Sequence, residues 1–164
     1  MLIRQANEQD APHILEVMHD AEASGFMLFE PNERQLTSDS LSKYIKTMNS
    51  APKSSFFVAE DKGRILGYLL VKAENLARTS HRASIAIGVH SLSRGKGTGT
   101  KLFQHVLIWA KQQQLHRLEL TVIEHNSHAI HLYKKMGFTK EGIKKDSLWI
   151  NGQFVNEIYM SILL

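Results

Sequence analysis

At 164 residues, 43% of them hydrophobic and none of them cysteine, the chain is long enough to bury a core without disulfides or thiolate-bound zinc. Its net charge of +4 comes from scattered basic residues and not from a long basic run, which argues against nucleic acid as a partner. No apolar segment approaches the roughly 20 residues that span a bilayer. We therefore expect a single cytoplasmic domain over residues 1–164 that binds neither nucleic acid nor a membrane.

The first half of the chain predicts two helices and a strand hairpin. Asp10 followed by Pro12 suits an N-cap and first-turn proline, and apolar residues then recur at helical spacing. The turn sequence DKGR between two apolar runs favours a hairpin with glycine at positive φ. The expected elements are a strand at 2–6, a helix from Asp10, a loop over 24–38, a helix through 41–48 and strands at 56–60 and 65–74.

The second half alternates strands and helices and closes on a long hairpin. An amphipathic helix follows a glycine-rich stretch, and Gly137 ends a second, shorter helix. Asn151-Gly152 separates two long strand patterns and is a strong hairpin signal. The expected elements are strands at 84–89 and 117–123, helices after the glycines and at 128–136, and the terminal strand pair. The predicted fold class is mixed α/β, with a largely antiparallel, twisted sheet flanked by helices.

The glycine-rich stretch SLSRGKGTGTKL, residues 91–102, lies between a strand that ends near Val89 or His90 and a helix that begins between Thr98 and Thr100. Backbone N–H groups at such a helix N-terminus converge on an anion, and glycine lets the main chain approach it. The P-loop and dinucleotide-binding patterns both fail here, whereas the pattern RxxGxG, from Arg94 to Gly99, fits. A glycine-rich entry turn without a ligand is the alternative.

Two segments in this order and spacing resemble the acetyl-coenzyme A site of the GNAT superfamily of N-acetyltransferases. VHSLSRGKGTGTKLF, residues 89–103, is similar to the pyrophosphate loop of that superfamily. LELTVIEHNSHAIHLYKKMGF, residues 118–138, is similar to its strand, asparagine, helix, tyrosine and MGF ending. The tail EGIKKDSLWINGQFVNEIYM looks most like bacterial acetyltransferases for small molecules, notably those that act on amino acids.

The resemblance implies that acetyl-CoA is the cosubstrate and that no metal takes part. Main-chain amides from Arg94 to Gly99 would hold the pyrophosphate, with Arg94 and Lys96 adding positive potential. The strand edge at 87–89 would pair with the pantetheine arm, and an N–H near Val89 would polarise the thioester carbonyl. The cofactor positions implied are Ile87, Gly88, Val89, Arg94, Gly95, Lys96, Gly97, Thr98, Gly99 and Asn126. For Asn126, an ordinary helix N-cap is the alternative reading.

The resemblance also implies a general acid, Tyr133, which matches the family tyrosine that protonates the departing thiolate. A phenol near pKa 10 is protonated at neutral pH and can assist a thiol leaving group. Packing in the core is the alternative for this residue. Many relatives carry a carboxylate base on the strand before the loop, but residues 84–89 contain none. We take Glu119 and His81 as candidate bases; a structural ion pair and an ordinary loop histidine are their alternatives.

The remaining charged and aromatic residues give weaker signals. His125, His128 and His131 lack a metal-binding pattern and favour a solvated helix face. Arg117 and the pair Lys144–Lys145 would suit either the nucleotide 3′-phosphate or simple solubility. In the loop over 24–38, three residues are expected to line the acceptor pocket: Phe26, Phe29 and Glu30.

The expected function is transfer of acetyl from acetyl-CoA to a primary amine of a small molecule, by direct attack and without a covalent enzyme intermediate. Two alternatives stay open: acetylation of a protein N-terminus, which would need an open groove, and a CoA-binding regulatory module without turnover. The exposed terminal hairpin would suit a homodimer interface.

Overall fold

A computed structural model describes all residues from Met1 to Leu164. Seven strands form one sheet in the order β1-β2-β3-β4-β5-β7-β6, in which only β4 and β5 run parallel. The predicted mixed, largely antiparallel α/β fold is therefore confirmed. The elements are β1 (Leu2–Gln5), α1 (Ala11–Glu22), α2 (Ser38–Ser50), β2 (Ser55–Asp61), β3 (Arg64–Ala73), β4 (Arg82–Val89), α3 (Thr98–Gln112), β5 (Arg117–Ile123), α4 (Ser127–Lys135), β6 (Thr139–Ile150) and β7 (Gln153–Leu163). None of the four helices combines the length and the apolar character needed to cross a membrane.

Helices cover both faces of the sheet, and β2 shows how the sequence achieves this. Phe56 and Val58 pack with α1 and α2 on one face, whereas Phe57 and Ala59 pack with α3 on the other. Successive strand residues point to opposite faces, so a strand covered on both sides is apolar at every position. This explains the uninterrupted apolar run from Phe56 to Ala59, which is fully buried.

Both predicted hairpins form, with the turn geometry that their sequences favour. Lys62 and Gly63 have φ of +50° and +77°, and Asn151 and Gly152 have φ of +50° and +78°. Positive φ at both central residues defines the turn type whose twist matches paired strands. The second hairpin, β6–β7, extends the sheet beyond β5.

Asp10 is the N-cap residue of α1 and Pro12 lies in its first turn, as predicted, but the Asp10 side chain does not cap the helix. Asp10 makes no capping hydrogen bond to α1, and a short 3-10 turn at Glu8–Asp10, capped by Asn7, precedes the helix. The Asp10 carboxylate instead accepts hydrogen bonds from Arg4 at 2.7 and 2.9 Å and from the Asn7 N–H at 2.8 Å. Burial would raise the pKa of Asp10, but these bonds and the Arg4 charge hold it below its usual value. The Asp10 side chain does not cap α1 because Arg4 on β1 binds its carboxylate.

A split in the sheet positions the candidate site. The parallel strands β4 and β5 pair at three positions only, from Arg82–Arg117 to Ser84–Glu119. Beyond Ser84 the two strands are no longer paired with each other, and residues 85–89 and 120–123 both border the same cavity. Helices α3 and α4 follow β4 and β5, so both helix N-termini lie at the open end of the split.

Candidate active site

The cavity in the split has a volume of about 910 Å³ and is bordered from both faces of the sheet. On β5, Leu120 and Val122 belong to the core on the α3 and α4 face, together with Tyr133. Because strand side chains alternate, Thr121 and Ile123 lie on the opposite face, on which α1 packs against β3 and β4. The cavity therefore joins a cofactor end, beside α3 and α4, to a second end on the α1 side of the sheet, which we call the acceptor end.

The glycine loop at the cofactor end leaves main-chain amides available. Gly95 and Gly97 have φ of +72° and +84°, and a Cβ at either residue would meet no atom within 4 Å. Gly97 is the N-cap of α3 and makes no side-chain capping bond. The first amides of a helix have no intrahelical partner, and together with the helix dipole they favour an anion. Backbone conformation and open space for a ligand thus account for these two glycines.

Gly88 and Gly99 line the same cavity, but packing accounts for their lack of a side chain. A Cβ at Gly88 would lie 2.4 Å from the Tyr68 ring, and one at Gly99 would lie 2.7 Å from Leu132 Cδ2. Both distances are far below van der Waals contact. The two residues therefore admit neighbouring side chains, whatever their contact with a cofactor.

The free edge of β4 presents the main chain of Ile87 and Val89 to the split. The His90 N–H donates to the Leu66 carbonyl of β3 at 2.9 Å, and Gly88 pairs with Tyr68 in the same ladder. Hydrogen-bonded and non-hydrogen-bonded pairs alternate in an antiparallel ladder. The N–H groups of Ile87 and Val89 consequently point away from β3, toward the gap left by β5. This matches the expected strand edge for an amide-bearing ligand.

Arg94 holds the loop and does not offer a free cation. Its Nε donates to the Val89 carbonyl at 3.0 Å, and its Nη2 donates to the Asp20 carbonyl and carboxylate at 3.1 and 3.2 Å. Asp20 also accepts bonds from the Ser91 N–H and hydroxyl at 2.6 and 2.7 Å. We call Asp20, Ser91 and Arg94 the loop anchor, since they tie the glycine loop to α1. Lys96, the second expected cation, is exposed and does not line the cavity.

Burial of Asp20 would raise its pKa, but the bonds from Ser91 and the nearby cations outweigh it and lower the pKa. Asp20 is therefore ionised at neutral pH and neutralises the charge of Arg94. Within the loop, the Thr98 hydroxyl is buried against the Ser93 hydroxyl, which fixes the first residue of α3.

Asn126 and Tyr133 of α4 both reach the cavity. Asn126 Oδ1 accepts a hydrogen bond from the Ala129 N–H at 3.2 Å, so the expected N-cap exists. This bond uses the amide oxygen and leaves the Nδ2 donors for a ligand.

Tyr133 is 8% exposed and contacts Phe103 edge-to-face and Phe138 at a tilt in the core. Burial raises the pKa of its phenol to about 12. The hydroxyl is thus neutral and a hydrogen-bond donor at any physiological pH.

The two candidate bases lie away from the cavity. Glu119 is at the last paired position of β5 and binds Arg117 Nε at 2.7 Å, and it does not line the cavity. The structure therefore contains the ion pair that was the alternative to a catalytic role for Glu119. His81 is exposed just before β4, roughly 25 Å of extended strand from Val89 at the other end. Neither group is positioned to contact an amine in the split.

The loop over 24–38 contributes only part of what was expected at the acceptor end. Phe26 lines the cavity, with its ring 5.7 Å from that of His125. Phe29 and Glu30 do not line it. The Phe29 ring instead lies under the Arg34 guanidinium at 4.1 Å. The expectation that Phe29 and Glu30 line the acceptor pocket is therefore wrong. The loop bends back after residue 28, and this brings Phe29 against Arg34.

Some lining residues had no clear sequence signal. Glu157 of β7 and Thr121 of β5 line the acceptor end, yet in the sequence each is one polar residue of an alternating strand. His128 and His131 are exposed on α4, as expected, and they also border the cavity with Lys135. No group of three or more His, Asp or Glu side chains is arranged to hold a metal ion.

The other basic residues considered for a phosphate are paired elsewhere. Arg117 binds both Glu119 and Glu141. Lys144 lies 3.3 Å from Glu157 Oε2. None of these cations lines the cavity. Ion pairs within the protein, and not a bound phosphate, therefore account for Arg117 and Lys144.

Comparison with known proteins agrees with this geometry. Residues 5–138 match the acetyltransferase (GNAT) family, and the chain belongs to that family. It is an acetyl-CoA-dependent N-acetyltransferase.

Two curated relatives from Escherichia coli are similar to the chain. The L-amino acid N-acetyltransferase AaaT is 33% identical over 60% of this chain and 62% of its own length. The spermidine N(1)-acetyltransferase is 28% identical over 98% of this chain and 84% of its own length. A GNAT-family acetyltransferase from Streptococcus pneumoniae superposes with a TM-score of 0.94 at 26% identity, over 99% of this chain and 98% of that structure.

Proposed function

We propose that this N-acetyltransferase acetylates a primary amine of a small molecule. The observation that carries the proposal is the cavity through the sheet split, which is lined by the glycine loop and Tyr133 at one end and by mostly apolar residues at the other. The similarity to an amino-acid and to a spermidine acetyltransferase supports a small amine and leaves both classes open.

The residues of the cofactor end fit acetyl-CoA. The uncapped N-terminus of α3 and the open space at Gly95 and Gly97 suit a diphosphate. The free N–H groups of Ile87 and Val89 suit the amides of a pantetheine arm, and Asn126 Nδ2 adds a side-chain donor. Lys135 and His131 at the rim favour further negative charge.

When bound, acetyl-CoA supplies an acetyl group activated as a thioester. The Val89 N–H is placed to stabilise negative charge on the carbonyl oxygen as the amine attacks. Arg94 binds the carbonyl of the same residue, in the following peptide group, and so helps to fix the main chain next to this N–H. Tyr133 donates its proton to the departing sulfur, the attacking nitrogen loses a proton to water, and the Tyr133 phenolate regains a proton from water. Nitrogen–carbon bond formation and carbon–sulfur cleavage then yield the acetylated amine and free thiol.

The borders of the acceptor end favour a small molecule over a protein N-terminus. Phe26, Met27 and Leu28, from the segment after α1, line one side, and Leu148 of the β6–β7 hairpin lines another. A protein N-terminus would need a groove open along its length. Short peptides nevertheless belong in the substrate screen.

The test is a thiol-release screen over free amino acids, amino-acid amides, polyamines and short peptides. We expect turnover with at least one small amine, and a loss of about 100-fold in kcat for Tyr133→Phe with little change in either KM. Phe103→Leu, next to Tyr133 in the core, serves as the packing control. No release with any amine contradicts the proposed function, and an unaffected Tyr133→Phe variant contradicts the role of Tyr133.

A homodimer through the terminal hairpin also stays a proposal. Trp149 and Phe154 form an exposed aromatic pair across β6 and β7, with ring centroids 4.7 Å apart. Large exposed aromatic pairs of this kind are frequent at interfaces. Sedimentation of the wild type and of a Trp149→Ser, Phe154→Ser variant tests it: a mass that does not differ between them, or a monomeric wild type, contradicts it.

A further inference from the structure

We propose that Glu157 binds the ammonium group of the acceptor, and that the acceptor carries one positive charge on an otherwise apolar body. This inference rests on the proposed function, because it assigns a residue and a substrate class to the acceptor end. Glu157 lies on β7, directly opposite Ile123 of β5. That position is on the α1 face of the split, across the sheet from Tyr133.

The Glu157 carboxylate is buried and borders the cavity. Glu157 is 7% exposed and lines the cavity. Lys144 approaches Oε2 at 3.3 Å, and the hydroxyls of Ser147 and Thr121 lie beside the same carboxylate. An irregularity in the β6 ladder between Lys144 and Leu148 lies beside this residue, and such bulges re-aim side chains next to active sites.

Glu157 is ionised at neutral pH. Burial alone would raise its pKa, but the neighbouring hydroxyls of Ser147 and Thr121 and the Lys144 ammonium outweigh burial and lower the pKa. A carboxylate with a lowered pKa is a weak base and a good partner for a cation. Its role is therefore to hold the amine in place, while the proton of an α-amino group near pKa 8 leaves to water.

The walls around Glu157 indicate the substrate class. Glu157 is the only acidic residue that lines the cavity, and Phe26, Met27, Leu28 and Leu148 supply apolar surface. A second ammonium group on the acceptor would enter this pocket without a counter-charge, which is unfavourable. The pocket therefore favours an amine with one positive charge and an apolar side chain over a polyamine.

Steady-state kinetics with leucinamide test the residue. Glu157→Gln should raise the KM for leucinamide about tenfold or more, with kcat changed less than about threefold and the KM for acetyl-CoA unchanged. The KM of Glu157→Asp for leucinamide should lie between that of the wild type and that of Glu157→Gln. Glu141→Gln is the matched control, since Glu141 is also an ion-paired carboxylate but lies outside the cavity. An unchanged KM for leucinamide, or an equal rise in the KM for acetyl-CoA, overturns the assignment.

A second variant changes KM in the opposite direction. Lys144→Met removes the internal competitor of the substrate ammonium, and Lys144 is half exposed, so the fold should tolerate the change. We expect a two- to fivefold lower KM for leucinamide, where a purely structural Lys144–Glu157 pair would leave KM unchanged or raise it. This measurement keeps the proposal testable if Glu157→Gln fails to fold.

A matched pair of amines tests the substrate class. Leucinamide should exceed lysinamide in kcat/KM by about tenfold, since lysinamide brings a second ammonium group. Equal rates, or a preference for lysinamide or spermidine, overturn the single-charge inference. Turnover by the wild type separates the failure of the proposed function from the failure of this inference. If the wild type releases no thiol with any amine, the proposed function is wrong. If it does release thiol but the KM of Glu157→Gln is unchanged, only the role of Glu157 is wrong.

Discussion

The two ends of the cavity are built from different parts of the polypeptide. The cofactor end consists mainly of main chain, from the edge of β4 through the glycine loop into α3, within one continuous segment. The acceptor end consists of side chains from the segment after α1, from β5 and from the terminal hairpin. A continuous segment leaves a motif in the sequence. A surface that is assembled from distant strands takes only one polar residue from each strand. In the sequence, such a residue cannot be distinguished from other polar strand residues.

The largest effect we expect is a loss of stability at a glycine of the cofactor end that is required for packing, in contrast to the glycines of the loop. Gly88→Ala places a Cβ against the buried Tyr68 ring and should destabilise the fold by about 1–3 kcal/mol. Denaturant unfolding measures this, with Gly142→Ala in β6 as control, because a Cβ there meets nothing within 4 Å and φ is not positive. Equal stability of the two variants would mean that Tyr68 moves aside without cost.

A smaller effect is expected from the loop anchor. Asp20→Ala and Arg94→Met should each weaken coenzyme A binding about fivefold, because each removes a charged hydrogen bond that holds the loop. Their effects should not add in the double variant, since residues of one network couple. Calorimetry of the four proteins measures this. Additive losses would instead indicate that Arg94 contacts the cofactor independently of Asp20.

The smallest effect is expected at Glu119. Glu119→Gln should change kcat by less than about twofold, because this carboxylate is bound by Arg117 outside the cavity. The pH profile of kcat should also keep its shape. A loss of 50-fold or more would restore Glu119 as the base and would require the Arg117 pair to open during turnover.

The fold and the cofactor end were predicted from local rules, that is, from residue patterns within short segments of the chain. Turn chemistry predicted the hairpins at Lys62-Gly63 and Asn151-Gly152, and both have the expected positive φ. The glycine pattern predicted the loop between β4 and α3. Local rules placed the N-cap of α1 at Asp10 but did not predict its hydrogen bonds, because an arginine six residues earlier binds the carboxylate in place of the helix N-terminus.

Tertiary contacts decided what the sequence could not predict. Phe29 contacts Arg34 and leaves the pocket to Phe26. Glu157 belongs to the acceptor end only because β7 inserts between β5 and β6 and because the β6 ladder is irregular beside it. No spacing within the chain encodes those two facts.

The central claim is that the main chain of the glycine loop binds the diphosphate of coenzyme A. Calorimetry with Gly97→Ala and Gly63→Ala tests it most directly, because both glycines have positive φ and open surroundings, at the site and at the β2–β3 turn respectively. Both changes should cost similar stability, about 1 kcal/mol. We predict that only Gly97→Ala weakens coenzyme A binding, by about tenfold. A wild type that does not bind coenzyme A, or a Gly97→Ala variant that binds it as the wild type does, would contradict the claim.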